Sequence, residues 1–306
     1  MKTTVLITGI TGFLGCHIGE LLCNDGYKIV ATRRKSSNLK NCLGFERNIT
    51  WIDIDEDNWK EKIITYHPQI IIHAAWIGVE ASEREDWGLQ TQNLFFLQQL
   101  LEIAKHSNTK KIIALGSQSE YGFIDTIVTE NHRLRPTNAY GAVKIIISQL
   151  LSNYCVQNLI KWYWLRVFSI FGEKESTKWL LPSAITTIAI SGKSSMDFSL
   201  GEQQYAYLYV KDFANSIKKF IEYSYNSSGI YNISASKPAK LKNIITNIKN
   251  NINPEFVLNF GALPYRQDQS MLVAGNTNKY NQIFGEIDKT SFEVAIKNTI
   301  SFYNKC

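Results

Sequence analysis

The chain has 306 residues, of which 44% are hydrophobic and 20% are charged, and its formal net charge is +6. This is enough for a sizeable core in one large or two coupled domains. The Lys and Arg residues are scattered and form no basic stripe interleaved with aromatic residues, which argues against a nucleic-acid partner and leaves an anionic small molecule as the expected one.

Neither the cysteines nor the apolar runs indicate a metal site or a membrane protein. The five cysteines lack metal-ligand spacing, and no 18 apolar residues run together. We therefore expect reduced thiols, no bound metal and no membrane span. The first apolar run is interrupted at Thr8-Gly9, so we also expect no signal peptide and a cytoplasmic location.

A short aliphatic run at the start of the chain precedes a glycine-rich turn. Residues 4–7 predict a buried parallel strand, and a helical pattern follows through Leu22. The spacing G-x-x-G-x-x-G between them allows a tight turn and brings backbone N–H groups to a pyrophosphate at the helix N-terminus. We predict a dinucleotide site formed by Gly9, Thr11, Gly12, Phe13, Leu14 and Gly15.

The turn after the second predicted strand, residues 27–32, indicates which cofactor is bound. An NAD enzyme usually places a carboxylate here, for the ribose 2′-hydroxyl. This chain instead has Arg33 and Arg34, followed by Ser36, and these side chains suit a 2′-phosphate. We predict NADP(H), with Arg33 as the leading contact, and a solvent-exposed basic turn is the alternative.

Two further predicted strands end in residues that suit a cofactor site. The strand at 49–54 places Asp53 where its carboxylate can accept a hydrogen bond from an adenine amino group. The strand at 70–75 ends in Ala74 and Ala75, whose small side chains let the backbone lie close to a cofactor.

The fifth predicted strand spans residues 111–115. Three residues that follow it in the chain form a candidate site for hydride transfer. Ser117 lies at the carboxyl end of that strand, where ligands bind in open α/β sheets. Tyr140 and Lys144 are four residues apart and share a helix face, and an ammonium beside a phenol lowers the phenol's pKa. We predict that Tyr140 transfers a proton, that Ser117 orients a carbonyl, and that Lys144 tunes the phenol and holds the nicotinamide ribose. For the Tyr–Lys pair alone, a solvated helix face is the alternative.

These motifs resemble the extended short-chain dehydrogenase/reductase superfamily, specifically the nucleotide-sugar epimerases, dehydratases and reductases. The matching segments are Thr8-Gly9-x-x-Gly12-x-x-Gly15, Asp53-Ile54, His73-Ala74-Ala75, Ser117-x-x-x-Tyr121-Gly122, Tyr140-x-x-x-Lys144, Leu165-Arg166-Val167-Phe168-Ser169-Ile170-Phe171-Gly172, Tyr209-Val210-Lys211-Asp212 and Tyr231-Asn232-Ile233. The resemblance implies an α/β fold, with a doubly wound parallel Rossmann sheet and a smaller mixed α/β C-terminal substrate domain. It also places Ile54 and Asn93 near the cofactor and implies a homodimer.

The predicted domains follow the loss of regular strand–helix alternation after about residue 166. Residues 1–170 plus about 209–235 are predicted to form the NADP-binding domain. Residues 171–208 plus 236–306 are predicted to bind a nucleoside-diphosphate sugar.

Departures from the family pattern refine the predicted activity. Dehydratases of the family carry Asp and Glu at the positions of Gln118 and Ser119, and neither an amide nor a hydroxyl can replace a carboxyl group in acid–base chemistry. An Arg-Asp pair of the family is replaced by Tyr205-Ala206, and Arg266 offers another contact for a diphosphate, although a surface ion pair is the alternative for it. The residues predicted to contact the substrate are Gln118, Ser119, Arg266, Tyr205 and Trp76.

The segment Gly116-Ser117-Gln118-x-Glu120-Tyr121-Gly122 also resembles the reductases that act on 4-keto-6-deoxy sugars attached to CDP or dTDP. Together with the predicted NADPH, this resemblance implies reduction of the C4 keto group of a nucleotide-linked 4-keto-6-deoxy sugar, in the synthesis of a surface-sugar precursor. Two alternatives stay open. One is a nucleotide-sugar 4-epimerase with tightly bound NAD. The other is a non-catalytic NADP-sensing protein with this fold.

Overall fold

The computed structural model describes residues 3–225, 227–266 and 269–305. The described residues fall into two compact units. Unit 1 contains those of Met1–Gly122, Arg133–Val167 and Ala214–Tyr231, and unit 2 contains those of Phe123–His132, Phe168–Phe213 and Asn232–Cys306.

The unit boundaries differ from the predicted domains at Phe123–His132, which the sequence analysis places in the first domain. This segment belongs to unit 2 because its backbone is bonded there. Val128 N donates to Ala274 O at 3.2 Å, and Asn276 N donates to Val128 O at 2.8 Å. A local sequence pattern cannot reveal a pairing across nearly 150 residues.

Strands and helices alternate along the first half of the described chain. The strands are β1 Thr4–Thr8, β2 Lys28–Arg33, β3 Ile49–Asp53, β4 Ile70–His73, β5 Lys111–Ser117, β6 Lys161–Val167, β7 Ile170–Phe171, β8 Ser195–Phe198, β9 Gln204–Tyr205, β10 Leu208–Tyr209, β11 Gly229–Ile233, β12 Ala239–Lys240, β13 Val257–Phe260 and β14 Leu272–Val273. The α-helices are α1 Phe13–Asn24, α2 Trp59–Ile64, α3 Trp87–His106, α4 Ala139–Gln157, α5 Leu180–Ile190, α6 Val210–Glu222, α7 Leu241–Ile252, α8 Asn278–Phe284 and α9 Phe292–Tyr303.

The largest sheet of the described chain has the strand order β11-β6-β5-β4-β1-β2-β3. Strands β1 to β6 pair in parallel throughout. This is the strand order of a doubly wound Rossmann fold, so the predicted fold class is confirmed. The order reverses between β1 and β4, which places a crevice for ligands outside the carboxyl ends of these strands.

One face of the sheet is covered by α2, α3 and α4. Alternate residues of the strands, such as Leu6 and Ile71, pack against Leu97 of α3 and Val143 of α4, and all four side chains are buried. Because α4 packs on β5 and β6 through this core, the residues of its first turn lie at the carboxyl end of β5. The core thereby fixes the distance between Ser117 and Tyr140.

Unit 2 is built from short strands and three packed helices. Strand β9 lies between antiparallel β12 and parallel β14, and β13 pairs in parallel with β8. Helices α5, α7 and α9 pack on one another. Among the described helices none is apolar over a long enough stretch to cross a membrane.

Candidate active site

The loop between β1 and α1 and the first turn of α1 each contain a glycine at a position with no room for a side chain. Gly9 has φ +74°, and a Cβ added there would lie 2.5 Å from Ala75 N. A Cβ on Gly15 would lie 2.1 Å from Gly9 O. Gly9 therefore allows the turn to pass close beneath the end of β4, and Gly15 lets α1 begin directly against it.

The N-terminus of α1 suits a phosphate group. Its N-cap residue is Gly12, which supplies no capping side chain. The first-turn amides of Phe13, Leu14 and Gly15 therefore point outward at the positive end of the helix dipole. Thr11 precedes them, and its carbonyl oxygen accepts a hydrogen bond from Asn41 Nδ2. A dinucleotide pyrophosphate fits this cradle.

Arg33 and Asp53 are paired with each other at the ends of β2 and β3. Arg33 Nε donates to Asp53 Oδ1 at 2.7 Å, and its guanidinium lies 5.2 Å from the centre of the Trp51 ring. Ile54 follows and donates its N–H to Arg33 O at 2.9 Å. The sequence analysis treated the two side chains separately, one for the 2′-phosphate and one for adenine. The structure shows that the two side chains form one ion pair, and their contacts with a cofactor stay predictions.

The rest of the basic turn is exposed. Arg34 and Ser36 both lie on the surface beyond Arg33. Arg34 N donates to Ser37 Oγ at 3.1 Å, and Lys35 N donates to Asp55 Oδ2 at 2.6 Å. The backbone of the turn is therefore fixed, whereas the side chains of Arg34 and Ser36 face solvent.

Ser117 and Tyr140 meet at the carboxyl end of β5. Asn138 caps α4 by accepting from Gly141 N at 2.8 Å, so Tyr140 stands in the first turn of the helix. A Cβ on Gly141 would lie 2.4 Å from Ser119 O, which shows how closely this turn approaches the loop after β5. Burial raises the pKa of Tyr140, and the hydrogen bond with the Ser117 hydroxyl opposes that rise.

The Lys144 ammonium is buried near the Tyr140 ring and makes its hydrogen bond with the backbone. Its ammonium donates to Leu115 O at 2.6 Å and lies 3.5 Å from the centre of the Trp76 ring, whereas the Tyr140 ring centre is 5.6 Å away. Burial lowers the pKa of Lys144 to about 7, and the Glu120 carboxylate opposes that shift. That Lys144 lowers the pKa of Tyr140 stays a prediction.

Glu120 and Arg166 form a buried ion pair beneath the site. Arg166 Nε donates to Glu120 Oε2 at 2.8 Å, and the two side chains are 2% and 0% exposed. Glu120 Oε1 accepts from Ser117 N at 2.8 Å and from Trp164 Nε1 at 2.9 Å. The carboxylate thus holds Ser117 in place. The sequence analysis gave neither residue a role, although a carboxylate beside a buried strand end is a readable signal.

Trp76 belongs to a second network that the sequence analysis did not predict. Trp76 Nε1 donates to Gln90 Oε1 at 2.8 Å, and Gln90 Nε2 donates to Gly78 O at 2.7 Å. The Trp76 ring meets the Tyr140 ring edge to face, with centres 5.6 Å apart. The Trp76 ring therefore contacts both the Tyr140 ring and the Lys144 ammonium.

Asn93 and Ala75 also support this loop. Asn93 Oδ1 accepts from Ile77 N at 2.9 Å, and Asn93 Nδ2 donates to Ile77 O at 3.1 Å. Ala75 N donates to Thr8 Oγ1 at 3.3 Å, and Ala74 N donates to Thr8 O at 3.2 Å. The side chain of Asn93 is buried and holds the loop, and its contact with the cofactor stays a prediction.

The residues at the dehydratase positions are close to Ser117. Ser119 N donates to Ser117 Oγ at 3.1 Å. Gln118 Oε1 is buried and accepts no hydrogen bond from any described residue. An amide oxygen in this position can accept from a substrate hydroxyl.

Tyr205 and Arg266 lie in unit 2. Tyr205 accepts from Gln269 Nε2 at 3.0 Å through its hydroxyl, and its ring packs on that of Tyr207 with centres 5.5 Å apart. Arg266 is exposed, as the sequence predicts. Their contacts with a substrate stay predictions.

Comparison with known proteins identifies relatives over almost the whole chain. It is 23% identical over 277 residues to dTDP-6-deoxy-L-talose 4-dehydrogenase (NAD(+)) of Aggregatibacter actinomycetemcomitans, covering 89% of this chain and 98% of that protein. It is 23% identical over 309 residues to CDP-abequose synthase of Salmonella muenchen, covering 97% of each.

A solved structure and a family model agree with these relatives. UDP-N-acetylglucosamine 4-epimerase from Methanobrevibacter ruminantium M1, in complex with UDP-N-acetylmuramic acid, superposes with a TM-score of 0.87 at 22% identity, covering 99% of both chains. Residues 5–234 match the model of the NAD dependent epimerase/dehydratase family, and this span contains the glycine loop, Ser117, Tyr140 and Lys144. The chain is a member of the NAD dependent epimerase/dehydratase family.

Proposed function

We propose that the protein is an NADPH-dependent reductase of the C4 keto group of a nucleoside-diphosphate-linked 4-keto-6-deoxy sugar. The observation that carries the proposal is the environment of Tyr140. The Tyr140 hydroxyl is hydrogen-bonded to the Ser117 side chain. The positions that hold carboxyl groups in dehydratases of the family are occupied here by Gln118 and Ser119. The nearby Glu120 carboxylate accepts hydrogen bonds from Arg166, Trp164 and the backbone N–H of Ser117, so it is not available for acid–base chemistry.

Four side chains take part in the proposed reduction. Bound NADPH supplies the hydride that reaches C4. Tyr140 gives its phenolic proton to the oxygen that becomes an alkoxide, and the Ser117 hydroxyl donates a hydrogen bond to the same oxygen. Lys144 is proposed to hold the nicotinamide ribose, and the Gln118 amide oxygen accepts from a sugar hydroxyl.

The proposed cofactor residues are those around the glycine loop and the end of β2. The cradle at Gly9 and Gly15 suits a pyrophosphate, and Arg33, Arg34 and Ser36 suit a 2′-phosphate. A relative named for NAD(+) makes the choice between the two cofactors a necessary test. Direct titration with NADPH and NADH decides it.

The test of the reaction is NADPH consumption with CDP-, dTDP-, GDP- and UDP-linked 4-keto-6-deoxyhexoses. We expect turnover with at least one of them and a loss of at least about 100-fold in Tyr140→Phe, with NADPH affinity kept. A Tyr140→Phe variant within threefold of the wild type overturns the assigned role of the phenol.

A 4-epimerase with tightly bound NAD is the second candidate, because a solved neighbour is a 4-epimerase. This reading predicts stoichiometric NAD in the purified protein and interconversion of UDP-sugars without added cofactor. The reductase reading predicts a protein that is purified without nucleotide. If none of the keto sugars is turned over and the purified protein retains NAD, the epimerase function is supported and the reductase function is rejected.

We also propose a cytoplasmic homodimer. Apolar side chains are exposed on both α3 and α4, at 58% for Trp87, 69% for Phe95, 43% for Ile146 and 50% for Leu150. A second copy that packs its own α3 and α4 on this face would bury them. The molar mass in solution tests this proposal, and a monomer at micromolar concentration contradicts it.

A further inference from the structure

The loop after β4 contains a tryptophan that contacts both members of the Tyr–Lys pair. The Lys144 ammonium nitrogen lies 3.5 Å from the centre of the Trp76 ring. The same ring meets the Tyr140 ring edge to face, with centres 5.6 Å apart. The face of an indole carries partial negative charge and attracts a cation placed over it. The proposed reaction does not yet give this contact a role.

The Trp76 indole is anchored through its N–H group. Trp76 Nε1 donates to Gln90 Oε1 at 2.8 Å, and Gln90 is fully buried on α3. Gln90 Nε2 in turn donates to Gly78 O at 2.7 Å and to Glu83 O at 3.1 Å. The indole cannot turn without breaking the first of these bonds, so its face is positioned before any ligand binds.

The Lys144 ammonium also has a partner in the backbone. Lys144 Nζ donates to Leu115 O at 2.6 Å, and only 4% of the residue is exposed. This bond uses one of the three N–H donors, which leaves donors for a ribose hydroxyl. The centre of the Tyr140 ring is 5.6 Å from the same nitrogen. The ammonium is therefore held near the phenol, and the indole face replaces part of its lost hydration.

Burial makes the charge of this ammonium costly. It lowers the pKa of Lys144 to about 7, and the Glu120 carboxylate opposes that shift. An aromatic face attracts the ammonium and not the neutral amine, so the Trp76 ring also opposes the loss of the proton. The attraction is larger for a desolvated cation than for an exposed one, and Lys144 is desolvated.

The titratable and charged groups around Lys144 are Glu120, Arg166, His73, Tyr140 and Arg84. Glu120 is paired with Arg166 at 2.8 Å, which compensates much of the negative charge near the ammonium. Burial and the Lys144 charge lower the pKa of His73 to about 3, so its ring stays neutral. The Arg84 guanidinium carbon lies 5.0 Å from the centre of the Tyr140 ring and adds a positive charge. With a carboxylate that is already paired and two arginines nearby, the aromatic face offsets part of the cost of burying the ammonium.

We propose that the Trp76 face keeps Lys144 charged and in place beside Tyr140, which makes Trp76 a positioning residue of the Tyr–Lys pair. The contact exists without substrate, whereas its role in catalysis rests on the proposed function. In the proposed reduction the hydride forms the new C–H bond at C4, the carbonyl π electrons move to the oxygen, and that oxygen takes the Tyr140 proton. Lys144 stabilises the phenolate that is left behind only while its amine is protonated.

The first test is the titration of Lys144 in the protein without substrate. The ¹³Cε signals of labelled lysines are followed against pH by NMR, and the Lys144 signal is assigned from its loss in Lys144→Met. Trp76 is replaced site-specifically by mono-, di- and trifluorinated tryptophan, which keep the shape and the N–H donor but weaken the negative face. We expect the midpoint to fall with each added fluorine, by about one pH unit in total, a tenfold loss of basicity.

Ordinary variants and a second tryptophan provide the controls. Trp76→Phe keeps an aromatic face without the N–H donor, so it should lower the midpoint less than Trp76→Leu, which has no aromatic face. The matched control is trifluorinated tryptophan at position 87, where Trp87 of α3 is 58% exposed, and it should leave the midpoint unchanged. A midpoint that trifluorination of Trp76 leaves unchanged, or that trifluorination of Trp87 lowers equally, overturns the proposal.

The reaction provides a separate readout. If a keto-sugar substrate is found, the enzyme fluorinated at Trp76 should lose activity at a lower pH than the wild type, because Lys144 loses its proton earlier. A role in packing alone would lower kcat at every pH and leave the pH profile in place. A lowered titration midpoint without turnover of any keto sugar supports the role of Trp76 and rejects the reductase function. Turnover with an unchanged midpoint does the reverse.

Discussion

The glycine-rich segment after β1 and the surroundings of Tyr140 are shaped in different ways. The glycine-rich segment depends on missing side chains, since a Cβ on Gly9 or Gly15 would clash with the backbone. The surroundings of Tyr140 depend on side-chain networks, Glu120 with Arg166 and Trp76 with Gln90, whose members lie 46 and 14 residues apart. A local motif therefore determines the first, whereas the second depends on which elements pack together.

Breaking the buried pair gives the largest expected effect. Glu120→Leu leaves the Arg166 charge buried without its partner and also removes the acceptor of Ser117 N. We expect a loss of about 3–5 kcal/mol in the free energy of unfolding, measured by denaturant titration. The double variant Glu120→Leu/Arg166→Met removes both charges and should recover most of this loss. A single variant as stable as the wild type would show that Arg166 is solvated elsewhere.

This contrast explains how much of the molecule is predictable from its sequence. The strands β1 to β5, the glycine loop and the meeting of Ser117 with Tyr140 follow from hydrophobic runs and motif spacing. The position of Lys144 does not, because helix periodicity places it beside Tyr140 but does not reveal that Trp76 covers it. Arg84, whose guanidinium carbon lies 5.0 Å from the centre of the Tyr140 ring, was missed for a similar reason, since it lies in a separate loop with no regular pattern.

A substitution in the glycine loop should lower the free energy of unfolding less than Glu120→Leu does. Its main effect should be on cofactor binding. Gly9→Ala introduces a side chain at φ +74° and 2.5 Å from Ala75 N. We expect a loss of about 1–2 kcal/mol in the free energy of unfolding from the backbone conformation, and at least about a tenfold weaker binding of NADPH, followed by its fluorescence.

The matched control for this variant lies in the same loop. A Cβ on Gly12 would lie 3.4 Å from Gly9 O, and the backbone there has φ −82°, which any residue adopts. Gly12→Ala should therefore cost less in stability than Gly9→Ala. Equal costs would show that the loop is not limited by the space and conformation at Gly9.

Arg33 combines both kinds of determinant and gives the smallest expected effect on stability. The motif places it at the end of β2, but its side chain is held by Asp53 and lies over Trp51. The pair is partly exposed, so Arg33→Ser should cost less than about 1 kcal/mol of stability. If the Arg33 guanidinium binds the 2′-phosphate, Arg33→Ser should lower NADPH affinity about tenfold and leave NADH affinity unchanged. The control Arg34→Ser, which changes an exposed neighbour, should have less effect on NADPH affinity. A parallel loss of affinity for both cofactors would mean that Arg33 acts only by orienting Asp53, and the preference for NADPH would then have to arise elsewhere in the turn.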